Sequence, residues 1–191
     1  VKAAEGYTDL NGSVIENVRS PYGSATDFFL PLLYVNETDF VGFRTLLDNH
    51  FATQADFATR YNLPGFASTT NLSNGNTLRY GIPNLSESSN VSTDAGSLTG
   101  LALGGLISTE HYYYSLNWLE QMKQRFPSLF GSLGFPSRLD AGNFSKEVYG
   151  FDAAVLALSL MGGSADSFDA YLATNPDLDL AFKRLYDQRS K

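Results

Sequence analysis

Apolar residues in this chain recur at helical spacing, in blocks that begin alike. A polar stretch ending in Asp runs into an apolar segment at Ser24–Leu33, Ser92–Leu101 and Tyr149–Leu158. The Asp residues of the three copies, Asp27, Asp94 and Asp152, lie 67 and 58 positions apart. A more aromatic, amphipathic segment follows each copy within a few residues. This periodicity predicts helices. A unit of this size cannot bury its own apolar face, so successive copies are expected to stack.

The expected elements follow the punctuation. A first helix spans Ala25–Tyr34, shortened or kinked by Pro31. Asn36-Glu-Thr-Asp39 reads as a helix start, followed by apolar positions from Phe40 to Phe51 and a short helix at Gln54–Tyr61. A third helix, rich in Gly and Ala, is expected to open at Asp94 and reach Leu106. Thr109–Phe126 is the clearest amphipathic helix, stopped by Pro127. Tyr149–Met161, Ser164–Thr174 and Leu178–Gln188 complete the set. Residues 5–23, 62–92 and 127–147 read as loops, with partial alternation at Thr77–Ile82 leaving room for a hairpin. Small-residue helices alternate with amphipathic aromatic ones, as inner and outer helices of a ring would. The expectation is an all-α single domain over 1–191: three helical hairpins forming an (α/α) toroid or half-toroid, with long loops at one end. A solenoid of helix pairs satisfies the same pattern.

Hydrophobic residues make up 43% of the 191 positions and charged ones 17%, enough for a core and against disorder. A net charge of −7 opposes nucleic-acid binding. No apolar run is long enough to span a bilayer. The absence of cysteine removes disulfides, thiolate metal sites and Cys nucleophiles. Six N-x-S/T sequons, at Asn11, Asn36, Asn71, Asn84, Asn90 and Asn143, exceed the roughly two that chance supplies, and mark candidate glycosylation sites. They point to a secreted, cell-surface or periplasmic protein. The chain opens at Val1 without a recognisable leader, which under that reading has been removed.

If the small-residue helices run parallel, the loops before them meet at one mouth. Those loops carry Arg19, Tyr22, Asp27, Arg79, Tyr80, Asp94, Arg138, Asp140, Glu147, Tyr149 and Asp152. Acids, Arg and Tyr in one cleft suit carbohydrate, and two carboxylates flanking a sugar bond are the minimum for glycoside hydrolysis. Glu147 with Asp94 or Asp152 is the candidate catalytic set; Arg138, Tyr149, Asp140, Asp27 and Tyr22 are candidate ligand contacts. The competing reading makes Asp27, Asp94 and Asp152 helix caps, and Glu147 with Arg138 a surface ion pair. His50 and His111 have no suitably spaced partners, so no metal or other cofactor is expected, and both are expected on solvated faces. Trp118 is expected to pack in the core, and the run Tyr112–Tyr114 to leave at least one ring exposed.

Gly134-Phe-Pro-Ser-Arg-Leu-Asp-Ala-Gly-Asn-Phe-Ser-Lys-Glu-Val-Tyr-Gly-Phe-Asp152 resembles the loop-to-inner-helix segment of bacterial glucoamylase-like domains. Asn90-Val-Ser-Thr-Asp-Ala-Gly96 is similar to a helix start in that group and in cyclic β-glucan enzymes. The resemblance is thus to (α/α) toroid glycoside hydrolases, in two patches. Two departures stand beside it. Six hairpins need about twice this length, and Ala25-Thr26 occupies the position where family-eight cellulases would carry their acid. Two functional readings follow. One is an extracytoplasmic glycan-active protein, a glycoside hydrolase if it is an enzyme. The other is a non-catalytic surface or assembly protein, or one chain of a larger complex. Either predicts self-association or a second chain completing the ring.

Overall fold

The structure, a computed structural model, describes residues 5–40, 42–68, 70–71, 77–78, 80–88, 91–127, 139–140 and 150–189. Among them, helices dominate. They are α1 (Ala25–Phe29), α2 (Phe43–Arg60), α3 (Leu98–Gly104), α4 (Thr109–Arg125), α5 (Gly150–Leu160), α6 (Ala165–Ala173) and α7 (Pro176–Arg189). Three small antiparallel pairs accompany them: β1 (Glu5–Thr8) with β2 (Val14–Asn17), β3 (Thr70–Asn71) with β4 (Thr77–Leu78), and β5 (Ala95–Gly96) with β6 (Leu139–Asp140). No helix among the described residues is long and apolar enough to cross a membrane.

Helix α3 is the axis of the molecule. All seven of its residues are buried, and it packs on α1, α4 and α5. Its glycines permit that crowding. A Cβ on Gly100 would lie 2.9 Å from the Ala25 Cβ, and one on Gly104 would lie 2.8 Å from the Phe51 ring. Ala25 opens α1 and faces Gly100 near the start of α3; Phe29 ends α1 and faces Gly104 at the end of α3. The two helices therefore run side by side in the same direction. Thr99 Oγ1 donates to the Asp152 carbonyl at 3.4 Å, which sets the first turn of α5 beside that of α3. Helices α2 and α4 return outside them: Phe51 of α2 packs on Phe29 and Phe66, and Ser115 of α4 donates to the Leu101 carbonyl at 2.8 Å.

Several boundaries differ from the sequence expectation. Ser24 and Ser97, not Asp27 and Asp94, cap α1 and α3, accepting from Asp27 N at 3.2 Å and Thr99 N at 3.1 Å. Ser24 stands one turn before Asp27 and Ser97 one turn after Asp94, and in each case the hydroxyl occupies the position from which the free N–H groups of the first turn are reached. Asp94 consequently lies outside the helix, just before β5. The two helices expected over 40–61 are one 18-residue helix, because nothing between Ala52 and Ala55 breaks it. Asn36 makes no cap; its amide donates to Asp169 Oδ2 at 2.7 Å, and Gly42, at φ +85°, precedes α2 instead. Residues 5–17 form a hairpin rather than a loop. A turn at Asp9–Gly12 joins its strands, with Asp9 Oδ1 accepting from Asn11 N and Ser13 N. Asp56 on α2 anchors that hairpin by accepting from the Tyr7 hydroxyl at 2.6 Å and Leu10 N at 2.9 Å. The expected helices over 109–126, 164–174 and 178–188 match α4, α6 and α7 within two residues.

Candidate functional site

Where α1, α3 and α5 begin, the intervening loops meet, as the parallel arrangement required. The segment Gly65–Ser68 lies across the starts of two helices at once. Ala67 O accepts from Ala25 N at 2.7 Å, Phe66 O accepts from Ser97 N at 2.8 Å, and the Ser68 and Thr26 hydroxyls hydrogen-bond. Backbone lies directly on backbone here. A Cβ on Gly96 would meet the Gly65 carbonyl oxygen at 2.4 Å, and one on Gly81 would meet the Tyr22 carbonyl oxygen at 1.8 Å. These contacts demand glycine for closeness of approach rather than for turn geometry. Ile82 N donates to Gly23 O at 3.1 Å, which brings the loop after β4 onto the loop before α1.

The candidate residues divide by their place at this mouth. Asp27 sits in the first turn of α1, and its Oδ2 accepts from the Ser20 hydroxyl and Tyr22 N, each at 2.9 Å. Its carboxylate holds the 20–22 loop in place. Asp94 is exposed and accepts a hydrogen bond from the Ser92 hydroxyl. The β5–β6 register sets Asp140 opposite Ala95, so the Asp140 backbone lies within one residue of Asp94. Asp152 stands in the first turn of α5, partly exposed, beside Thr99. Tyr22 is half-buried beside Asp27, and Tyr80 is buried, bridging to Ser92. Asp27, Asp94, Asp140 and Asp152 are therefore grouped around the starts of the three inner helices. Glu147, Arg138, Tyr149 and Arg79 lie outside the described residues. Among the sequons, Asn11 and Asn84 are exposed, Asn36 is half-buried against Asp169, and Asn71 lies in β3; Asn90 and Asn143 fall outside the described residues.

Beneath the mouth lies a buried polar pair that sequence reasoning misplaced. His50 is fully buried, not solvated, stacked on Phe28 with ring centroids 3.6 Å apart. Gln54, also fully buried, orients it. Its Oε1 accepts from Ala67 N at 3.0 Å, so its Nε2 donates to Gly23 O at 3.2 Å and to His50 Nε2 at 3.3 Å. The proton of neutral His50 then resides on Nδ1, which faces the Ser24 backbone without closing a hydrogen bond of ordinary geometry. Gln54 thus ties an outer helix to the loops before α1 and after α2. Its position on the apolar side of α2 was the available signal, masked by its polarity. His111 is half-buried as well, with its Nδ1 against the Ser108 hydroxyl at 2.7 Å.

Burial depresses the His50 pKa from 6.5 to about 3. His111 is lowered too, chiefly by burial.

No family model matches the chain, and no curated protein matches it significantly. Two solved structures share its fold. An endo-β-1,2-glucanase from Talaromyces funiculosus in complex with sophorose is 14% identical with a TM-score of 0.75. A mutant of that enzyme, in complex with β-1,2-glucan, is 13% identical with a TM-score of 0.76. Both likenesses cover 98% of this chain and 39% of the other. The chain therefore has a partial (α/α) toroid-like fold and spans about two-fifths of the glucanase length.

The depressed His50 pKa makes stability depend on pH. The native state stays neutral while the unfolded histidine binds a proton near 6.5, so stability is lost as pH falls below that value. Between pH 6.5 and 5, His50 removes about 2 kcal/mol. Urea unfolding at pH 7 and pH 5 will show a loss smaller by about that amount in His50→Gln. Equal losses in the two proteins would contradict a neutral buried His50.

Proposed function

We propose that this chain is part of a glycan-active protein whose sugar-binding mouth is the cluster of loops at the starts of α1, α3 and α5. The observation that carries the reading is the match of 98% of the chain to the fold of a β-1,2-glucan-degrading enzyme. Acids grouped where three parallel inner helices begin support it, since glycoside hydrolysis needs two carboxylates about the bond to be broken. In this reading Glu147 is the proton donor and Asp94 or Asp152 the base or water positioner. Arg138, Tyr149, Asp140 and Tyr22 contact the sugar, and Asp27 acts by holding Tyr22. The reaction class is acid/base glycoside hydrolysis, in which one carboxyl protonates the leaving oxygen and another directs the attack. A location outside the cytoplasm belongs to the same proposal, supported by exposed sequons at Asn11 and Asn84.

Completion of the ring is the second element of the proposal. Phe151, Leu158, Met161, Tyr171, Leu178 and Leu180 are exposed along α5, α6 and α7, Met161 at 80%. Exposed apolar surface of this kind marks a contact face. Further helical hairpins, from another copy or a second chain, would cover it. If the proposed site on this chain is inactive, the same face supports the assembly reading.

The test of catalysis is a screen of soluble neutral glucans, β-1,2-glucan included, with the Glu147→Gln variant alongside. Turnover reduced at least about a hundredfold in the variant is expected for loss of a general acid. Turnover unaffected by the substitution would remove Glu147 from the mechanism. For assembly, light scattering is expected to give a mass above that of one chain, and a monodisperse monomer would overturn ring completion.

A further inference from the structure

A second place on the molecule has the chemistry of a sugar site, away from the mouth. Helices α2 and α4 run parallel on the outside, and the seam between their C-terminal halves is a hollow of about 360 Å3. Tyr114 and Trp118, one turn apart on α4, form its aromatic wall, with ring centroids 5.8 Å apart. Tyr114 is 41% exposed. The Trp118 indole N–H donates to Pro64 O at 3.2 Å, which fixes the ring where it lines the hollow. Trp118 is therefore half-buried, packed against the core as expected and lining the hollow as well. Around these rings stand three amides, Asn62, Asn117 and Gln121, and Arg125, whose Nη1 donates to Asn62 Oδ1 at 3.3 Å. The Asn117 and Gln121 side chains are exposed and make no hydrogen bond among the described residues.

The hollow continues. At Tyr114 it adjoins a second one of about 310 Å3 lined by Phe51, Glu110, His111 and the Arg44–Asp48 ion pair. From His111 to Arg125 the α4 side of this track runs about 21 Å at 1.5 Å per residue. Its composition selects among ligands. Among the described residues no carboxylate lines the first hollow, and Arg125, which donates to Asn62, stands at its end, so most of its polar lining is neutral. Free amides offer both donors and acceptors, the pairing a ring of hydroxyls needs. An adjacent aromatic face accepts the C–H side that a pyranose exposes when its hydroxyls are equatorial.

We propose that the α2/α4 groove is a second carbohydrate-binding site, for a neutral gluco-configured oligosaccharide, with Trp118 and Tyr114 as stacking faces and Asn117 and Gln121 as hydrogen-bonding groups. The choice of ligand rests on the glycan reading of the protein; the site itself does not involve the mouth. Its place on the outer wall suits capture of a polymer strand while another part of that strand occupies the mouth.

Trp118 is the chain's one tryptophan, so its fluorescence reports on this groove. A mixture of β-1,2-gluco-oligosaccharides is the probe, titrated against the intact chain by emission and, in parallel, by calorimetry. A saturable change in emission is expected, unaltered in Glu147→Gln and weakened about tenfold in Asn117→Ala/Gln121→Ala, whose exposed side chains can be removed without loss of folding. Heat of binding with unchanged emission would overturn the groove and leave the mouth standing. An emission change lost in Glu147→Gln but kept in the double variant would also overturn it. Neither heat nor emission change would end both the groove and the glycan reading.

Discussion

The fold turns on how closely two helices can approach α3. A seven-residue helix buried on every side has no solvent face on which to place a large residue, and its neighbours meet it through Gly100 and Gly104. Interiors are packed to crystal-like density, so those two missing Cβ atoms are part of the architecture. With Ala25 against Gly100 and the Phe29–Phe51 pair against Gly104, α1 is held parallel to α3 along its whole length.

From that parallel contact the mouth follows. Parallel inner helices put their starts at one end, and the connecting loops must then cross there. The crossing is tight enough that Gly65, Gly81 and Gly96 meet opposing backbone, and Gly65–Ser68 satisfies N–H groups of both α1 and α3. The buried Gln54 and His50 couple this layer to α2, so the outer helices are fastened to the mouth as well as to the core. The acids collected at the helix starts owe their proximity to helix packing and inherit its rigidity.

Much of the architecture was legible because it is written in period and punctuation. The apolar spacing from Thr109 and the Pro127 stop define α4, and Gly162-Gly163, both at positive φ, end α5 as glycines do. The alternation of small-residue and aromatic helices identified the ring. The details that failed have physical reasons. Asp draws attention as a cap, yet Ser24, one turn before Asp27, and Ser97, one turn after Asp94, are the residues that reach the free N–H groups. The β1–β2 hairpin is too short and too exposed to show a clean alternation, and its anchor, Asp56, lies 49 residues from Tyr7. His50 looked solvated because a lone histidine has no periodic signature; its burial depends on Phe28 and Gln54 converging from two helices. The groove at Trp118 could not be read at all, since it exists only where two outer helices run parallel without closing on each other.

Native-state hydrogen exchange tests the central role of α3 most directly. If its packing holds the ring segment together, the amides of Leu98–Gly104 exchange only by global unfolding, with opening free energies equal to that from urea. Those of α7, which packs mainly on α6, exchange by local opening at lower free energy. Exchange of the α3 amides as fast as those of α7 would contradict the account, because the mouth would then have no rigid axis to assemble around.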